Sequence, residues 1–139
     1  MSETLFRTGI IGATGFIGAP YRAEIRACHQ AKMIALCARR KDLLKTAAQE
    51  DGAPFYTQSW EGVITHPEVN FVIVATPDAL HHEAVMACAK HGKHLLCEKP
   101  VGMNASQARE MMQAFLHSDP PLGHFVPFWT RYVKVFQVA

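Results

Sequence analysis

Residues 9–18 read Gly9-Ile10-Ile11-Gly12-Ala13-Thr14-Gly15-Phe16-Ile17-Gly18, an apolar run that opens into glycines three residues apart. Residues 5–11 are apolar enough for a buried strand. Residues 17–29 carry Tyr21, Ile25 and Cys28 at helical spacing, with Arg22 and Arg26 nearer another face. Strand, glycine turn and helix N-terminus together make an anion site, because unpaired backbone N–H groups and the helix dipole face the same point. Glycine suits a sharp turn, a backbone approached closely by a pyrophosphate, and a helix packed tightly on a strand. The spacing is one residue longer than the commoner G-x-G-x-x-G. Gly12, Ala13, Thr14, Gly15, Phe16, Ile17 and Gly18 are therefore candidate dinucleotide-binding residues. Pro20 requires a helix starting at Phe16 or Ile17, so that its missing N–H falls in the first turn.

The rest of the chain repeats the alternation. Strands are expected at 33–38, 71–75, 94–97 and 122–126, and helices at 42–51, 79–91 and 104–117. Gly52 and Gly92 stop two of the helices, and Asn104 with Gln107 forms a capping box for the last. Phe71-Val72-Ile73-Val74-Ala75 is uncharged and rich in β-branched residues, as a strand covered on both faces should be. Strands alternating with helices at this spacing mean βαβ units: an α/β protein with a doubly wound parallel sheet.

About 20 residues beyond the glycine turn, a dinucleotide site usually offers a carboxylate to the adenosine ribose. Ala38 stands there, followed by Arg39 and Arg40. Losing the carboxylate removes the repulsion of a 2′-phosphate, and two guanidiniums supply fork-shaped donors for it. The expected cofactor is NADP in preference to NAD.

Two further segments end strands on the edge where ligands bind in open α/β sheets: Thr76-Pro77-Asp78-Ala79-Leu80-His81, and Cys97-Glu98-Lys99-Pro100. With Ala89, Gly92, Lys93 and His94 between them, this stretch resembles the Gfo/Idh/MocA family of NAD(P)-dependent oxidoreductases. The resemblance implies a Rossmann fold, and Thr76, Pro77 and His81 lining the cofactor cleft. It further implies Glu98 on the nicotinamide-side ribose, a cis peptide before Pro100, and Lys99 beside both nicotinamide and reacting hydroxyl, in proton transfer or substrate orientation. A lysine beside a bound cation and apolar walls can have its pKa lowered toward working pH. The implied substrate is a sugar, polyol or related secondary alcohol. The glycine spacing itself is closer to that of extended short-chain reductases, whose chemistry needs Tyr-x-x-x-Lys. Ile25, Trp60 and Phe136 stand four residues beyond Tyr21, Tyr56 and Tyr132, so that reading fails.

Bulk composition narrows the rest. The 139 residues are 49% hydrophobic and 19% charged, with a net charge of +2 and no basic stripe, which argues against nucleic acid. No apolar run approaches the ~20 residues of a membrane span. Cys28, Cys37, Cys88 and Cys97 include no C-x-x-C pair and read as small buried hydrophobes in a reduced, cytoplasmic setting. His81-His82 and His91/His94 lack a completing ligand set, so no metal is expected. Residues 1–126 are read as a single dinucleotide-binding domain. In residues 127–139, Trp129, Tyr132, Val133 and Phe136 share one apolar helical face, the expected start of a second domain missing from this chain. That domain would carry the substrate pocket and a homo-oligomer interface. The alternative is a dinucleotide-binding module without chemistry, a sensor or partner subunit.

Overall fold

The structure is a computed structural model that describes residues 5–128. Its elements run β1 (Phe6–Ile11), α1 (Gly18–Ala27), β2 (Ala31–Cys37), α2 (Lys41–Asp51), β3 (Phe55–Thr57), α3 (Trp60–Ile64), β4 (Phe71–Val74), α4 (His81–Lys90), β5 (His94–Cys97), α5 (Ala105–Leu116) and β6 (His124–Phe125). All six strands are parallel, in the order β3-β2-β1-β4-β5-β6. This is the doubly wound arrangement, with its reversal of winding between β1 and β4, where ligands bind. The helix face carrying Trp129, Tyr132, Val133 and Phe136 falls outside the described residues. Among the described residues no helix is long and apolar enough to cross a membrane.

Period-two alternation explains the uncharged strands. Ile10 and Ile73 enter a core with Leu36, Leu44 and Ala47 under α1 and α2. Their neighbours Ile11, Val72 and Val74 enter the opposite core with Val85, Leu95 and Phe115 under α3, α4 and α5. Successive residues of a strand bury on opposite faces, so a strand covered twice must be apolar throughout.

Several expectations shift. β3 and α3 went unread: three residues of strand and five of helix are too short to show a period. α1 starts at Gly18, not at Phe16 or Ile17, and Pro20 still lies in its first turn. Cys28 is exposed rather than buried, because it caps α1 beyond the packed stretch. Arg22 is only 8% exposed. Its guanidinium is paired with Asp51 and lies 2.8 Å from Glu50, so it ties α1 to the end of α2. The Asn104 cap holds: its Oδ1 accepts from the Gln107 N–H at 3.0 Å, while Gln107 Oε1 accepts from the Met103 N–H at 2.9 Å.

Candidate active site

β1 ends at Ile11 and the chain turns at Gly12 with φ +88°. A Cβ there would stand 2.3 Å from the Ala75 carbonyl oxygen, so both backbone angle and space demand glycine. A Cβ at Gly18 would stand 2.1 Å from the Gly12 carbonyl oxygen, because α1 begins directly against the turn. Gly15 is different. It is exposed, its φ is not positive, and the one atom near its would-be Cβ is Gly12 O at 3.2 Å. That single tight contact makes the fold's demand for glycine weaker here than at Gly12 or Gly18, and a ligand closing on the backbone would add to it.

The turn divides its amides between scaffold and cleft. The Gly12 and Ala13 N–H groups both donate to the Cys37 carbonyl at 2.9 Å, locking the turn to the end of β2. Ala13 is fully buried, so it supports the turn and does not face a ligand as the sequence suggested. The Thr14, Phe16 and Ile17 N–H groups have no partner among the described residues. Ile17 caps α1 without a side-chain hydrogen bond, and no acid occupies the first helical turn. The positive end of the helix is thus left uncompensated, the condition for holding an anion.

These groups open on a cleft of about 460 Å³ lined by Gly12, Thr14, Gly15, Phe16, Ile17, Arg39, Arg40, Thr76 and Pro77. Phe16 is 92% exposed at its rim. Trp60, Leu80 and Ala84 add apolar wall, and only the last of these is fully buried. At the β2 end, Gln58 Nε2 donates to the Arg39 carbonyl at 2.7 Å, fixing the backbone there. The Arg39 guanidinium has no partner among the described residues. Arg40 Nη2 lies 3.2 Å from Asp42 Oδ2 on the surface. The Leu43 N–H and Arg40 together hold the Asp42 carboxyl below the ordinary carboxylate range. The two arginines are therefore unequal, and Arg39 is the uncommitted donor.

On the other side of the reversal, β4 and β5 deliver the remaining candidates side by side. The Glu98 N–H donates to the Val74 carbonyl at 3.0 Å, so the turn Glu98-Lys99-Pro100 leaves the sheet beside Thr76. The Lys99–Pro100 peptide is cis. Lys99 is exposed, and its N–H donates to Glu98 Oε2 at 3.2 Å. His81 does not line the cleft. It is fully buried behind it, with Nδ1 2.8 Å from Pro100 O and Nε2 3.0 Å from Thr76 O. It joins the Thr76 loop, which lines the cleft, to the turn at Pro100, where Glu98, Lys99 and Pro100 are not among the lining residues. Sequence reasoning missed Tyr21, whose hydroxyl donates to Glu98 Oε1 at 2.6 Å. A tyrosine inside a helical apolar face carries no local sign of a partner 77 residues away. Among the described residues no three His, Cys, Asp or Glu side chains come together as a metal site.

A bound dinucleotide can be tested against this geometry. Among the described residues the buried Thr76 hydroxyl has no hydrogen-bond partner, a state that costs about 1–3 kcal/mol unless something supplies one. Thr76 lines the same cleft as the unpaired turn amides and the bare helix end, where Gly15 is exposed. The residues present fit a dinucleotide pyrophosphate at the turn and a polar group beside Thr76.

Comparison with known proteins agrees with the geometry. Human trans-1,2-dihydrobenzene-1,2-diol dehydrogenase is 36% identical over 110 residues, 76% of this chain and 32% of that protein. Levoglucosan dehydrogenase of Pseudarthrobacter phenanthrenivorans is 34% identical over 98 residues, 70% of this chain and 25% of that protein. The chain thus spans about a third or less of the curated relatives it matches. The crystal structure of scyllo-inositol dehydrogenase from Lactobacillus casei, with bound NAD(H) and scyllo-inositol, superposes with a TM-score of 0.88 at 21% identity. It covers 96% of this chain and 39% of that one, and it shares the fold. Residues 6–119 match the Gfo/Idh/MocA oxidoreductase family, NAD-binding Rossmann fold, and the chain belongs to that family.

Proposed function

We propose that this chain is the dinucleotide-binding domain of an NADP-preferring dehydrogenase acting on a sugar, polyol or related secondary alcohol. The observation that carries the reading is one cleft at the β1/β4 reversal that joins unpaired turn amides, a bare helix end and an orphaned Thr76 hydroxyl. Gly12, Thr14, Gly15, Phe16, Ile17 and Gly18 form the pyrophosphate cradle in this reading, Gly18 and Ala13 from beneath. Arg39 takes the 2′-phosphate and Arg40 contributes charge from the rim. Thr76 and Pro77 wall the nicotinamide half, His81 braces them, and Glu98 holds the adjoining ribose. Lys99 then stands where a substrate hydroxyl would react, to orient it or accept its proton. When bound, the nicotinamide supplies the hydride chemistry that no side chain of the chain can perform.

Residues 1–126 form the cofactor unit in this proposal, and residues 127–139 begin a further domain that completes the substrate pocket and a homo-oligomer. The curated relatives' greater length supports this, as does the apolar surface at Met112, Leu116 and Phe125. We assign it to the cytoplasm on its free cysteines, of which Cys37, Cys88 and Cys97 are buried. Burial pushes the Cys37 thiol up to about 11, so it stays protonated and inert.

Cofactor choice is the direct test. Calorimetry of the chain with NADPH and NADH at one salt concentration should show tighter NADPH binding. Arg39→Ala should weaken NADPH by roughly 10-fold, the value of one charge-assisted pair, and spare NADH. Tighter NADH binding by the unaltered chain would overturn the preference while leaving the dinucleotide site.

A further inference from the structure

We infer that Tyr21 is a positioning residue for the Glu98–Lys99 turn, coupling the helix at the pyrophosphate end of the cleft to the end where chemistry would occur. The inference rests on the dinucleotide reading above and adds to it a residue that neither the motifs nor the cleft lining contains. Tyr21 occupies the first turn of α1, the helix that opens with Gly18 and whose bare end faces the ligand space. Its ring packs against the core under α1 and α2, and its hydroxyl crosses to Glu98 Oε1 at 2.6 Å. The other carboxylate oxygen, Oε2, accepts the Lys99 N–H at 3.2 Å.

Glu98 is therefore gripped at both oxygens, one by α1 and one by the backbone of the residue that follows it. A glutamate has three side-chain torsions and loses substantial rotamer freedom when fixed. Here the fixing groups are a half-buried aromatic ring with two torsions and the main chain itself. Burial, with the hydrogen bond to Glu98 and the carboxylate's charge, pushes the Tyr21 hydroxyl well above the usual tyrosine range, so it keeps its proton and remains a donor. Without that donor, Oε1 loses its anchor and the side chain can rotate about its remaining bond to residue 99. His81 holds the far end of the same turn through Pro100 O. The turn is thus braced from two helices, and Tyr21 supplies the brace that comes from the cofactor's own helix.

The experiment uses the full 139-residue chain and two probes. NADPH spans the whole cleft, whereas adenosine 2′,5′-bisphosphate reaches only the arginine and glycine-turn end. Tyr21→Phe should weaken NADPH by roughly 10-fold and leave the bisphosphate within about twofold, because a charge-assisted hydrogen bond is lost at one end only. The fluorescence of bound NADPH should fall toward that of the free molecule as its ring loses order. In a Glu98→Ala background, Tyr21→Phe should have no further effect on NADPH, which a merely structural tyrosine would not show. Equal loss of both probes, or an undiminished Tyr21→Phe effect in the Glu98→Ala background, overturns the coupling in favour of a structural role. Unchanged NADPH affinity in Tyr21→Phe also overturns it, with the dinucleotide site intact. A native chain that binds neither probe overturns the dinucleotide reading and this inference together.

Discussion

Gly12, Gly15 and Gly18 belong to one motif, yet three different physical demands fall on them. Gly12 combines a left-handed φ with a blocking carbonyl, and Gly18 has a blocking carbonyl alone. Gly12→Ala should therefore cost about 2 kcal/mol or more of stability, read as a lower urea midpoint with unchanged m-value. Gly15→Val should lower the urea midpoint less than Gly12→Ala does and abolish dinucleotide binding in calorimetry. Binding that survives Gly15→Val would move the pyrophosphate away from this turn. The same separation of roles holds for the arginines. Arg39 is uncommitted, whereas Arg40 already faces Asp42, so Arg40→Ala should weaken NADPH less than Arg39→Ala does.

At the scale of elements, motif residues divide into those that meet the cleft and those that hold strands in place. Lys93 lies in the stretch that carries the family resemblance, yet it is only 9% exposed and on the loop entering β5. Its Nζ donates to the Val69 carbonyl at 2.6 Å and the His66 carbonyl at 3.1 Å, closing the loop that leads into β4. Burial lowers its pKa, and the two carbonyls are what make the ammonium tolerable there. Neighbouring His94 accepts the Gly123 N–H on Nδ1 at 2.9 Å, which sets β6 against β5. Lys93→Met should remove both donors and cost about 1–3 kcal/mol, seen as a lower urea midpoint, without changing NADPH affinity in the folded protein. A selective loss of NADPH affinity would instead make Lys93 part of the site. His82, 3.0 Å from Glu110, performs a similar joining task between α4 and α5 on the surface.

For the whole molecule, the decisive feature is the exposure of the turn that bears Lys99. Hydride transfer needs the substrate carbon held against the nicotinamide, and such positioning can supply ~7–11 kcal/mol of barrier reduction. Nothing among the described residues closes a pocket over Lys99, which is exposed. The 139 residues by themselves should bind dinucleotide yet turn over a panel of sugars and polyols at a negligible rate. A protein of the relatives' length that carries this domain should turn one of them over, and Lys99→Ala in that longer protein should lower kcat. Robust turnover by the 139 residues alone would show that the site needs no further domain. A longer Lys99→Ala protein with unimpaired kcat would remove Lys99 from the chemistry.

Much of the fold was legible because its signals are local. The uncharged run at 71–75, the glycines after Ile11 and the Asn104 cap each act through neighbours in sequence, and each produced the expected element. Their alternation alone was enough for a parallel, doubly wound sheet, since βαβ units leave few other ways to bury both faces. β3 and α3 stayed hidden because so few residues complete no period. The partners of Arg22, Tyr21, His81 and Lys93 were beyond sequence reading for a different reason. Each is a polar group brought inside by chain segments 19 to 77 residues away. Amphipathic spacing says only that such a side chain lies on a helix face or at a strand end. Whether it meets solvent, a carboxylate or a carbonyl is decided when the sheet order sets β5 beside β4 and α1 packs against β1 and β2.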